Sequence, residues 1–139
     1  ERLFADPARL QPVAGRLAGA LRPCAPEVVC GPLVGGALLG QAVALALGCG
    51  FAWSERRQGG DSRAVVYDVP AGLAGLVAGR RVAIVDDAVN AGVATLATAR
   101  ALRALGGEVV VAGAVLARSP GAARLAERGL PLVALAGLA

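Results

Sequence analysis

A chain of 139 residues whose fourteen basic side chains are all arginine, with no histidine, lysine or methionine, excludes much chemistry before any motif is read. A Walker-type phosphate loop would lack its lysine, a Ser-His-Asp hydrolase its imidazole, and a histidine-based zinc site its ligands. The net charge of +4 is spread from Arg2 to Arg128 with little aromatic company, a pattern that favours small phosphorylated ligands over nucleic acid.

The length suits one domain, 1–139, with a buried core. Cys24, Cys30 and Cys49 have no ligand-like spacing and read as reduced thiols of a cytoplasmic protein. The absence of an initiating methionine is expected of a segment that begins inside a longer gene product.

In chain order, Asp6 followed by Pro7 predicts a helix start, and apolar residues at helical spacing through Val13, Leu17 and Leu21 continue it until Pro23. Glu27 to Cys30 reads as a short buried strand. Gly31-Pro32-Leu33-Val34-Gly35-Gly36 is then a tight turn into a helix reaching about Leu47. Gly31 to Ser54 carries no charge over a length that could span a bilayer, but Pro32, Gln41, Gly48 and Gly50 divide it into loop, helix and strand. Gly50 to Ser54 leads into Glu55-Arg56-Arg57 and a polar loop to Arg63. Ala64 to Val69 reads as a strand and Pro70 to Ala78 as a connecting turn.

After Arg81, Val82 to Val85 is an apolar run ending in Asp86 and Asp87, and Ala88 to Thr95 is a small-residue turn containing Gly92 that enters a helix, Val93 to Leu105. Glu108 to Leu116 is a further strand followed by Arg118, Pro120 to Arg128 a helix, and Leu130 to Leu135 a last strand. The alternation predicts an α/β fold, a doubly wound parallel sheet flanked by helices with right-handed crossovers.

A buried strand delivers Asp86 and Asp87 to the C-terminal edge of such a sheet, where ligands bind. Two acids there suit a polyol or a metal, and the amides of Ala88 to Thr95, at a helix N-terminus, suit an anion. The same dipeptide also occurs where the second acid merely caps a helix. Trp53 and Tyr67 read as packing residues, and a Rossmann dinucleotide site lacks its glycine fingerprint.

The run from Arg81 to Thr95 resembles the phosphoribosyl-diphosphate motif of type I phosphoribosyltransferases. Gly31 to Gly36 and Phe51-Ala52-Trp53-Ser54-Glu55-Arg56 are similar to the Gly-Pro-x-x-Gly-Gly turn and the Phe-x-x-Glu-Arg strand end of its orotate group. The resemblance implies that family's fold, with the N-terminal hood reduced or missing. It also implies transfer of ribose 5-phosphate from phosphoribosyl diphosphate to a nucleobase, orotate first and a purine second.

Asp86 and Asp87 would hold the ribose hydroxyls. Ala88, Val89, Asn90, Ala91, Gly92, Val93, Ala94 and Thr95 would wrap the 5-phosphate, and Leu33, Val34, Gly35, Gly36, Arg56, Arg57 and Arg63 the diphosphate. Asp86, Asp87, Arg56 and Arg57 are the implied catalytic set, Asn90 and Arg118 the base contacts, Mg²⁺ the cofactor and a homodimer the assembly. Asn90 and Val93 depart from the family's usual Thr and its Gly or Thr, and the loop has neither lysine nor histidine. Those departures give the alternative, a non-catalytic binder of phosphoribosyl diphosphate with the same fold.

Overall fold

The computed structural model describes residues 2–58 and 64–139. A short helix α1 (Arg2–Ala5) precedes α2 (Pro7–Leu21), whose N-cap Asp6 accepts the Ala8 N–H at 3.2 Å. Strand β1 (Val28–Pro32), helix α3 (Gly35–Leu47) and strand β2 (Gly50–Arg56) follow, and Gly48 closes α3 in the left-handed conformation. Next come β3 (Tyr67–Asp68), α4 (Ala74–Val77), β4 (Arg81–Val89), α5 (Val93–Ala104), β5 (Glu108–Arg118), α6 (Ser119–Glu127) and β6 (Leu132–Leu138).

The six strands form one sheet in the order β3-β2-β1-β4-β5-β6. Every pairing is parallel except β2 with β3, so the expected parallel sheet carries one antiparallel edge. Its core is two apolar layers. On one face α2 and α3 bury Leu17, Leu21, Leu39 and Val43 against Val29, Val85 and Val111. On the other, Leu96, Leu102 and Leu125 pack on Val28, Val82, Ile84 and Ala112. Burial on both faces explains why these strands read as continuous apolar runs.

Several boundaries differ from those expected. The acid pair lies inside β4, which continues to Val89 because Asp86, Ala88 and Val89 still pair with Ala114, Leu116 and Ala117 of β5. Strand β5 likewise extends to Arg118, and the last strand is Leu132–Leu138, since Leu130 is buried and its N–H closes α6 on the Leu125 carbonyl. Of the strand expected over Ala64 to Val69, only Tyr67 and Asp68 pair, with Arg56 and Glu55. The connection from Pro70 to Ala78 is two helical turns that bury Val77. Among the described residues, no helix is long and apolar enough to cross a membrane.

Candidate active site

The strand order reverses between β1 and β4, the position where open α/β sheets leave a crevice at their carboxyl ends. The register shows how it opens. Strand β1 stays paired with β4 only to Cys30↔Ile84, after which β1 turns away through Gly31 to Gly36 while β4 runs on beside β5.

Strand alternation then assigns the two acids to opposite sides. Val82 and Ile84 belong to the α5 layer, Ala83 and Val85 to the α3 layer. Asp86 accordingly lines a cavity of roughly 260 Å³ together with Ala88 to Thr95. Asp87 stands against the start of α3, where a Cβ on Gly35 would come within 2.8 Å of its Oδ2.

The backbone of the turn after β1 lies against the side chains of this pair. The Leu33 N–H donates to the Ser54 carbonyl at 2.9 Å, the Leu33–Val34 peptide is cis, and the Val34 carbonyl accepts the Leu38 N–H at 3.1 Å. A Cβ at Gly36 would sit 2.9 Å from both Asp86 Oδ1 and the Val85 carbonyl, and one at Gly31 would collide with the Gly36 carbonyl. Gly35 therefore lies close to Asp87 and Gly36 close to Asp86, an approach that glycine alone permits.

Asp86 is the electrostatically unusual group. Its Oδ1 accepts the Asp87 N–H at 2.9 Å, yet burial, followed by the neighbouring Asp87 carboxylate, pushes its pKa up to about 8. Near neutral pH this side chain is largely a neutral acid, able to donate a hydrogen bond and free of repulsion toward an anion in the cavity it lines.

The cavity's other wall is the entry to α5. Gly92 is the N-cap at φ +81°, a conformation that favours glycine, and its carbonyl accepts the Leu96 N–H at 3.0 Å. No side chain caps this helix, and Val93 to Thr95 of its first turn line the cavity, an arrangement that can receive an anion. Thr95 is buried, and Thr98 Oγ1 lies 2.8 Å from Ser54 Oγ in a buried hydroxyl pair that ties β2 to α5.

Gly121, in the first turn of α6, was not legible as a site residue. It lies against the backbone of Asn90, and a Cβ there would collide with the Asn90 carbonyl and stand 2.9 Å from Val89 Cγ1. Gly121→Ala is expected to displace the turn at Asn90 and weaken the binding of a phosphate-bearing ligand in this cavity by about tenfold, the cost of modest overpacking. Titration calorimetry on the two proteins checks it, with the melting temperature measured alongside.

The arginines are dispersed. Arg56 is exposed at the end of β2. Arg57 donates from Nε and Nη2 to Asp68 at 2.9 and 2.7 Å, and its backbone N–H to the Val66 carbonyl. That ion pair raises the pKa of Arg57 and lowers that of Asp68, chiefly through the hydrogen bonds, but both groups are exposed and add little stability. Arg63 lies outside the described residues. Arg118 lines a separate groove between α6 and β6 rather than the cavity at Asp86. Asn90 is exposed at the cavity rim. Trp53 donates its indole N–H to Glu55 Oε1 at 3.0 Å and packs beside Phe51, and Tyr67 is half-buried.

A paired-acid crevice between two glycine-containing turns, at the carboxyl edge of a mostly parallel α/β sheet, is what the fold and the site define. The family model for the phosphoribosyl transferase domain matches residues 1–131. The chain is 37% identical over 138 residues to an orotate phosphoribosyltransferase of Methylobacterium sp. (strain 4-46), covering 98% of this chain and 66% of that protein. It is 40% identical over 144 residues to an adenine phosphoribosyltransferase of Mycobacteroides abscessus, covering 96% and 80%.

The fold matches that of orotate phosphoribosyltransferase from Mycobacterium tuberculosis H37Rv, a structure in complex with 5-phospho-alpha-D-ribosyl 1-diphosphate. The TM-score is 0.77 at 23% identity, covering 99% of this chain and 78% of that one. The chain belongs to the phosphoribosyltransferase family. It spans 50% to 66% of the length of the first three curated relatives it matches.

Proposed function

We propose that this chain binds phosphoribosyl diphosphate and transfers its ribose 5-phosphate unit to a nucleobase, with orotate the first candidate. The observation that carries the reading is the contact of two phosphate-suited turns with one acid pair: Gly35 and Gly36 against Asp87 and Asp86, and Asp86 lining the Ala88–Thr95 cavity. In the transfer, the anomeric C–O bond to diphosphate breaks and a C–N bond to the base forms. Positive charge grows on the ribose ring and negative charge on the leaving diphosphate.

Asp86 and Asp87 hold the ribose hydroxyls in this scheme, the amides of Ala88 to Thr95 receive the 5-phosphate, and the turn Leu33 to Gly36 receives the diphosphate. Arg56, and Arg57 on leaving Asp68, supply positive charge to it. Arginine does not serve as a proton donor here, because its guanidinium stays protonated. Asn90 and Arg118 are the proposed contacts for the base.

Magnesium is the cofactor of this proposed reaction. The carboxylates of Asp86 and Asp87 are the side chains that would hold it, with waters and substrate oxygens completing its shell. When bound, it neutralises charge on the diphosphate.

Two observations support neighbouring readings. The 40% identity to an adenine enzyme favours a purine as the second base. The absence of lysine and histidine favours, as a further alternative, a binder without turnover. Incubation with phosphoribosyl diphosphate, Mg²⁺ and orotate, adenine, hypoxanthine or uracil separates them. Diphosphate release with orotate alone is the expected result. Release with adenine alone reassigns the base, and binding without release for any base overturns the enzymatic reading.

A further inference from the structure

Three polar side chains are buried among the described residues, Ser54, Thr95 and Thr98, and they lead from one turn of the candidate site to the other. Thr95 lines the cavity at the entry to α5, and Thr98 follows it one helical turn later on the same buried side. Thr98 Oγ1 lies 2.8 Å from Ser54 Oγ. The Ser54 carbonyl in turn accepts the N–H of Leu33, where the turn after β1 begins, at 2.9 Å.

Stability does not call for this hydroxyl pair. Ala52, two residues earlier on the same face of β2, and Ala97 and Ala99, on either side of Thr98, are buried with no polar group at all. Threonine is a weaker helix former than alanine, and replacing two paired hydroxyls by apolar groups of the same shape costs little. What the pair adds is direction. Among the described residues it is the one side-chain hydrogen bond between β2 and α5, and it fixes at a single point two elements that apolar packing alone would let slide.

From this we infer that Ser54 and Thr98 are positioning residues that set the spacing of the two turns. Ser54 is bonded through its carbonyl to the turn assigned to the diphosphate, and through its hydroxyl to the helix assigned to the 5-phosphate. Phosphoribosyl diphosphate carries both groups on one ribose, so it engages both turns only when they stand apart by its own length. A ligand with one of the groups uses one turn and is indifferent to the spacing. This role rests on the assignment of the turns proposed above.

Calorimetry with Mg²⁺ tests it, comparing phosphoribosyl diphosphate with ribose 5-phosphate and with inorganic diphosphate. Ser54→Ala/Thr98→Val is expected to bind phosphoribosyl diphosphate about tenfold more weakly, and each smaller ligand within about twofold of the wild type. Its melting temperature is expected to stay within about 4 °C of the wild type. Thr98→Ser, which keeps the hydroxyl, is expected to retain wild-type affinity for all three ligands. Should the double variant not fold, Thr98→Val, which keeps the side-chain shape, takes its place in the comparison. An equal loss for all three ligands marks a general loosening of the fold and overturns the inference. So does undiminished affinity of the hydroxyl-free variant for phosphoribosyl diphosphate, or an equal loss in Thr98→Ser. A wild type that binds no phosphoribosyl diphosphate overturns the proposed function itself, and this role with it.

Discussion

Gly31→Ala is expected to abolish measurable binding of phosphoribosyl diphosphate and to lower the melting temperature by roughly 5 °C or more. The position is an ordinary strand end with no side chain of its own to lose. Its hydrogens face the carbonyl of Gly36, and an added methyl would need the space that the oxygen occupies. Backbone atoms yield to such an intrusion only by moving the segment that holds them, and overpacking of this kind costs about 1–3 kcal/mol or more.

The segment that moves is the start of α3. Gly36 and Gly35 lie so near Asp86 and Asp87 that an added Cβ on either would come within 2.9 Å of a carboxylate oxygen, so the displacement is transmitted to both acids at once. Calorimetry with the ligand and a thermal melt on the same preparation distinguish the two parts of the effect. Unchanged affinity would mean that the turn after β1 takes no part in binding.

Asp86→Asn is expected to give a crossed result with pH. Burial raises the Asp86 pKa to about 8, so the folded chain holds this proton more tightly than the unfolded chain, whose aspartate titrates near its ordinary value. A raised folded-state pKa means that the stabilisation is complete at low pH and is lost as pH rises toward and through about 8. The wild-type melting temperature should therefore fall between pH 5 and pH 9, by roughly 5 °C, and Asp86→Asn should flatten that slope.

Binding follows the same proton. Asp86 lines the cavity assigned to the 5-phosphate, so its ionisation places a carboxylate beside an anion. Without metal, ribose 5-phosphate should bind about tenfold more weakly at pH 9 than at pH 7, since most of the protein is then ionised at this position. The asparagine protein should lose that dependence. An identical pH profile for the two proteins would remove Asp86 from the cavity's electrostatics.

Much of the fold was legible because its strands are buried on both faces and its turns carry glycine or proline. Val82 to Val85 and Val109 to Val111 left little choice but strands, and Gly48, Gly92 and Gly106 mark chain reversals at positive φ. The ends of strands were harder to place. Nothing in Asp86, Asp87 and Ala88 signals continued pairing, which is set by how far β5 runs alongside, so the acids sit within β4 instead of beyond it.

The acid pair and both turns were likewise readable from spacing, since strand-turn-helix is a local pattern. Contacts between distant segments were not. Asp68 takes Arg57 because β3 returns antiparallel beside β2, and Gly121 supports Asn90 because α6 starts at the same sheet edge. Neither relation leaves a trace in the residues near it. The Ser54 and Thr98 hydroxyls, 44 positions apart, meet only once α5 lies across the sheet.

The central claim, that the acid pair and the flanking turns together grip an activated sugar, is tested most directly by titrating phosphoribosyl diphosphate with Mg²⁺ into the wild type and into Asp87→Asn in a calorimeter. The account predicts one site per chain in the wild type and a loss of roughly 1–3 kcal/mol in the variant, the cost of removing a charged hydrogen-bond acceptor from a ribose hydroxyl. Equal affinity in the two proteins, or no binding by the wild type, would contradict it.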